Sequence, residues 1–232
     1  MQIVECESWR LLRERWANYS DLPPDTRRQW WFRGQGNADW ILETTLDRQF
    51  AFSSDEDRNE SVAILLDEFK RELLHIGDDS VIGLAGDALE LFARHHGLPS
   101  PLMDWTASPY VASYFAFEDA IRAKSGYACI WALNRTQFTP LPETVDVIDD
   151  FELLRFNRRA LHQRGVFVRV ATIQDSFENL VFPALTRFIV PTTNAKAALI
   201  DLELMTINAT YVFGNEESAA RTAALRHTLR RT

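Results

Sequence analysis

Arg33 stands between Phe32 and Gly34, where the apolar run Trp30-Trp31-Phe32 gives out. A guanidinium at a strand end can grip a phosphate or carboxylate with its planar fork. Gly34 and Gly36 on either side of Gln35 leave room for a ligand to approach the backbone. The structural alternative is an arginine paired with a buried carboxylate. A second group is Arg94-His95-His96-Gly97, with Asp104 close behind. Adjacent histidines face different sides of a helix, so they do not share one metal ion. Cys6 and Cys129 have no histidine at ligand spacing, and no metal is expected. His95 falls on an apolar helix face, where a bond to Asp104 would fix its tautomer and stitch the helix end to the next loop. In a third group, Asp104, Thr106 and Ser108 precede Pro109 and a nearly all-apolar helix. Free amides and the dipole at such an N-terminus attract anions, although capping alone would account for Ser108. A fourth group, residues 157–167, offers Arg158 and Gln163 to an anion, or is simply a solvated basic helix. No nucleophile elbow, Walker loop or complete dinucleotide fingerprint occurs.

The elements that must position these residues are legible from spacing. Gln2–Cys6 reads as a strand and Trp9–Asn18 as a helix capped by Ser8, broken at Asp21–Asp25. Val62, Leu65, Leu66, Phe69 and Leu73 share one helix face, and Gly77 closes that helix. Val81, Leu84, Ala88, Leu91, Phe92 and His95 mark a second, with Gly97 as its left-handed cap. A buried helix over Tyr110–Ala123 leads to a strand at Tyr127–Leu133. Pro140 and Pro142 mark a loop, and Glu152–His162 reads as a basic helix. Strands at Val166–Val170 and Arg187–Val190 and helices at Thr193–Met205 and Glu216–Leu229 complete the chain. Strands and helices do not alternate regularly, which favours an α+β fold: one domain, a mixed sheet flanked by helices.

The 232 residues are 46% hydrophobic, enough for one well-cored domain and too apolar for a disordered chain. A net charge of −8 argues against nucleic acid as a partner. Two distant cysteines point to a reducing, cytoplasmic setting. No run reaches the roughly 20 apolar residues of a membrane span, and the N-terminus lacks the basic and apolar regions of a signal peptide.

Together these segments resemble the FRG domain, named for its Phe-Arg-Gly motif. Phe32-Arg33-Gly34-Gln35 matches the name motif. His95-His96-Gly97-Leu98-Pro99-Ser100-Pro101-Leu102-Met103-Asp104-Trp105-Thr106 resembles the family's long signature, and Tyr114-Phe115-Ala116 continues it. Arg94 stands where the family usually has glutamine, and Pro101 where it usually has arginine. Arg158 and Gln163–Phe167 resemble a later segment, and Ile207 and Phe213 fall in the final unit. The resemblance divides the chain into a strand–helix extension (1–27), the FRG domain (28–220) and a basic helix end (221–232).

A more distant likeness is to ADP-ribosyltransferases, through the order of Arg33, Asp104-Trp105-Thr106, Ala112 and Phe115-Ala116. That likeness implies NAD as cofactor. Arg33, Gly34, Gln35 and Arg158 would hold its phosphates or ribose, and Thr106 and Ser108 would sit at the nicotinamide end. His95, Asp104 and Gln163 would be the catalytic candidates, with Gln163 nearest the place of the catalytic glutamate. The implied function is an NAD-like binding cleft with ADP-ribosyl transfer or NAD cleavage. The competing reading is a non-catalytic module for a nucleotide or a protein partner, in a bacterial defence or mobile-element system. Either way, Arg33, His95, Asp104 and Gln163 are expected to converge on one cleft.

Overall fold

The computed structural model describes residues 1–138, 142–150, 153 and 158–230. Seven strands form one sheet: β1 (Gln2–Glu5), β2 (Trp30–Gln35), β3 (Leu102–Thr106), β4 (Tyr127–Asn134), β5 (Val145–Ile148), β6 (Gly165–Val170) and β7 (Leu185–Pro191). Their order is β1-β7-β4-β2-β3-β6-β5. Only the β1–β7 pair is parallel, so the sheet is mixed and the fold is α+β, as expected.

Alternation along the strands splits the core in two. Phe32, Ile130, Ala132, Phe188 and Val190 belong to a cluster with Trp16, Ala112, Ala116 and Leu199. These come from α1 (Trp9–Ser20), α6 (Pro109–Ala123) and α9 (Ala195–Leu204). Trp31, Trp131, Met103, Trp105 and Val168 form the second cluster, closed by Leu42, Phe177 and Val181. Residues 1–27 supply β1 and α1 to this same sheet and core. Five further helices matter below: α3 (Thr45–Gln49), α4 (Asp55–His75), α5 (Gly86–His95), α7 (Arg158–His162) and α10 (Ala209–Phe213). Shorter helical pieces are α2 (Pro24–Arg27) and α8 (Phe177–Leu180), and α11 (Glu216–Arg230) ends the described chain. No helix among the described residues is long and apolar enough to cross a membrane.

The structure departs from the sequence reading in three places. Val81 lies in a separate 3₁₀ turn, and Gly83 and Gly86, at φ +85° and +53°, keep it out of α5. The apolar stripe of α4 is only half covered, and the one fully buried side chain of that helix is Arg58. The short edge strand β5 pairs with β6 where only a loop was expected. Residues 154–157, with Arg155, and residues 139–141, with Pro140, lie outside the described residues.

β2 and β3 pair only at Phe32 and Thr106, while β2 pairs with β4 over six residues. The two central strands therefore part immediately, and Arg33 sits at the point of parting.

Candidate functional site

Arg33 Nη1 donates to the backbone carbonyl of Asp104 at 2.6 Å, across the gap between the strands. Its Nε is buried without a hydrogen-bond partner among the described residues. Burial lowers its pKa to about 10; Asp104 opposes that shift, and Arg94 and Arg48 add to it. Arg33 thus remains a cation at neutral pH.

The Asp104 carboxylate is held by Arg94, whose Nη2 donates to Oδ2 at 2.6 Å. Arg94 Nη1 donates to Thr45 Oγ1 at 2.9 Å, so α3 fixes the arginine that fixes the aspartate. Burial would raise the pKa of Asp104. Arg94, Arg33 and Arg159 outweigh burial and hold it below the ordinary carboxylate value. Asp104 is therefore ionised at neutral pH, with three guanidiniums around it.

Three cavities meet here. The first, about 180 Å³, is lined by Arg33, Gly34, Asp104, Thr106, Arg159 and Gln163. The second, about 200 Å³, is lined by Arg94, His95, Asp104, Arg159 and Gln163. The third, about 580 Å³, is lined by His95 and Arg159 together with Phe92, His96 and Phe213. Arg159 borders all three and stacks on Phe213, its Cζ lying 4.5 Å from the ring centroid. Burial, followed by Arg94 and Arg221, lowers its pKa, and Asp104 opposes them. Asp104, Arg159 and Gln163 line both the first and the second cavity, whereas Arg33 borders only the first and His95 only the second and third.

Several assigned roles change. His95 borders the cleft near Asp104, but the hydrogen bond to Asp104 belongs to Arg94, one residue earlier on the helix. Thr106 lines the first cavity with its hydroxyl already committed: it donates to the Gln163 carbonyl at 2.5 Å and accepts from Ser108 N–H. Ser108 caps α6 through Val111 N–H and borders none of the three cavities. The part of α6 that reaches the first cavity is its later turns, at Phe115, Asp119 and Arg122, not its N-terminus. Gln35 is buried in the sheet, where it accepts from Trp131 Nε1 at 2.6 Å and donates to the Ile41 carbonyl at 2.9 Å. Gln163 Nε2 donates to the Val212 carbonyl at 3.2 Å, which ties α7 to α10. Arg158 begins α7, and its side chain lies outside the described residues.

Gly34 and Gly36 both allow the close approach of α6, and Gly34 also lines the first cavity. A Cβ on Gly34 would lie 2.0 Å from the Ala112 carbonyl oxygen and 2.7 Å from Ala116 N. One on Gly36 would lie 2.5 Å from the Asp119 carbonyl carbon. Arg159, in a stretch that reads as a basic helix, is the lining residue common to all three cavities and not among the candidate site residues of the sequence. No signal in the sequence distinguishes Arg159 from its neighbours Arg155 and Arg158.

His95 gives this cleft a pH signature. Burial lowers its pKa, Arg159 and His96 add to that, and Asp104 opposes them. An unfolded chain takes up this proton near pH 6.5, and the folded chain only at a lower pH. The stability associated with neutral His95 is thus full above about pH 6.5 and falls as pH drops toward the folded value. Melting temperature should decline over that window in the parent chain and decline less in His95→Gln, as followed by thermal denaturation from pH 7.5 to 5.

Residues 28–125 match the family model of the FRG domain. The match contains Arg33, Arg94, His95 and Asp104 and stops short of Arg159 and Gln163. A search of the curated proteins and one of the solved structures each find no match.

Proposed function

We propose that the FRG domain of this chain binds a small phosphate-bearing ligand of the NAD class in the arginine-lined cleft. The observation that carries this reading is the charge count. Among the described residues, Arg33, Arg94 and Arg159 surround the one carboxylate of Asp104, while Arg122 and Asp119 at the edge of the first cavity offset each other at 3.5 Å. The cleft keeps a positive excess in a chain whose net charge is −8. Cations left uncompensated in a partly buried cavity are costly unless an anion completes the set. Phosphate oxygens suit guanidinium forks.

Binding is better supported than turnover. Cleavage of a glycosidic bond to ribose needs a carboxylate to stabilise an oxocarbenium-like centre. Asp104 is the ionised candidate, but its charge is already shared with Arg94. Gln163 is neutral, and its amide nitrogen is engaged. Any hydrolysis or transfer should therefore be slow, with Asp104 as the group to substitute. A non-catalytic protein-binding module is the competing reading.

Isothermal titration of NAD and ADP-ribose into the parent chain, Arg33→Ala and Arg159→Ala tests this. A hydrogen bond to a charged group contributes about 1.5–3 kcal/mol, so Arg159→Ala should weaken binding roughly 10- to 100-fold. Arg33→Ala also exposes the loss of a link between the strands, so its melting temperature is measured alongside. No heat from either nucleotide at millimolar concentration would reject the reading and favour the protein-partner module.

A further inference from the structure

We infer that the third cavity is the subsite for the base of a nucleotide whose phosphate lies against Arg159. This rests on reading the arginine cleft as a phosphate site. The two cavities beside Arg33 and Arg94, at about 180 and 200 Å³, have room for a compact anionic group. The third, at about 580 Å³, falls in the range of pockets that enclose a drug-sized organic ligand.

Its lining mixes aromatic and aliphatic side chains with His95, His96, Arg159 and Asn215. Phe92 and His96 form one wall, with ring centroids 4.5 Å apart and planes tilted by 44°. Phe213 and Gly214 face them from the end of α10. Leu84, Ala88 and Leu91 are apolar, and no carboxylate among the described residues lines the cavity. His95, at the inner end, is kept neutral by burial and by Arg159. The chamber therefore suits a flat, uncharged ring, and it opens onto a cation.

Arg159 is what joins the two halves. It borders every one of the three cavities, and its guanidinium is stacked on Phe213. Arg221 lies over the same ring at 4.7 Å and is itself paired with Glu118. Phe213 is thus a positioning residue that holds Arg159 at the junction. A ligand with a ring on one side of Arg159 and an anion on the other is, in chemical terms, a nucleotide.

The test compares AMP, adenosine and ribose 5-phosphate by isothermal titration into the full chain. Stacking of a base on aromatic side chains is worth about 10-fold in affinity. AMP should therefore bind at least about 10-fold more tightly than ribose 5-phosphate. Ala88→Trp, which fills the chamber, should reduce AMP to the level of ribose 5-phosphate and leave ribose 5-phosphate unchanged. Phe92→Leu, which keeps the side chain apolar and removes the ring, should do the same. Equal affinities for AMP and ribose 5-phosphate, or an AMP advantage that survives both variants, would overturn the base subsite while the phosphate reading stands. Binding of adenosine without ribose 5-phosphate would uphold the chamber and overturn the phosphate reading. Binding of none of the three would overturn both.

Discussion

Gly34→Ala is expected to destabilise the chain by roughly 3 kcal/mol or more, the size of a severe core defect. The added methyl would collide with backbone, the Ala112 carbonyl at 2.0 Å and Ala116 N at 2.7 Å, not with a side chain that could rotate away. Relief requires α6 to back off the sheet, which would loosen Phe32, Ala112, Ala116 and Ile130 in the larger core cluster. Gly126→Ala provides the control: nothing lies within 4 Å of a Cβ there, so its denaturation midpoint should stay close to the parent's. Urea unfolding of the three proteins decides the matter. Equal midpoints for Gly34→Ala and Gly126→Ala would show that α6 does not need its close approach to β2.

The second large effect lies on the far side of the cleft. Arg58 is 1% exposed and makes a two-pronged pair with Asp47: Nε donates to Oδ1 at 2.6 Å and Nη2 to Oδ2 at 2.9 Å. Asp47→Ala leaves that guanidinium buried and unpaired, a loss of about 3–5 kcal/mol. The double variant Asp47→Leu with Arg58→Met removes both charges and should recover much of that loss. Calorimetry on the single and double variants would measure it, and a single variant as stable as the double would refute it. The damage should reach the ligand as well. Asp47 belongs to α3, whose Thr45 accepts from Arg94, and Arg94 holds Asp104.

Which features could be read from the sequence follows from how local their causes are. The α+β class, the helix at Pro109 with its Ser108 cap, and the convergence of Arg33, Asp104 and Gln163 were signalled by periodicity, by capping chemistry and by polar residues beside glycine. What was misread depended on partners distant in sequence. Gly34 and Gly36 advertised room beside the backbone, but only the packed sheet reveals that α6 occupies it. His95 was the natural partner for Asp104 by residue type. The last turn of α5 presents Arg94 instead, one of the residues at which the chain departs from the FRG signature. Gln35 shared a motif with Arg33, yet its amide is spent on Trp131, 96 positions later. The stripe on α4 was helical as expected. Its half-exposure could not be read, because amphipathic spacing says which face is apolar and not how completely it is covered.

The solitary rung between β2 and β3 divides the sheet into two leaves. One holds β1, β7, β4 and β2; the other holds β3, β6 and β5. Within each leaf the ladders are continuous, and between the leaves Trp31 and Trp131 share one buried cluster with Met103, Trp105 and Val168. Arg33 rides on one leaf, and Asp104 on the other. The arginine's bond to the Asp104 carbonyl therefore ties one leaf to the other beside the solitary rung. Arg159 and Gln163 flank the start of β6 and travel with the second leaf. A phosphate gripped by Arg33 and Arg159 together would brace the leaves against each other. Ligand uptake and rigidity of the sheet would then be one equilibrium, and slowed amide exchange on either side of the solitary rung would report occupancy of the cleft without any chemistry taking place.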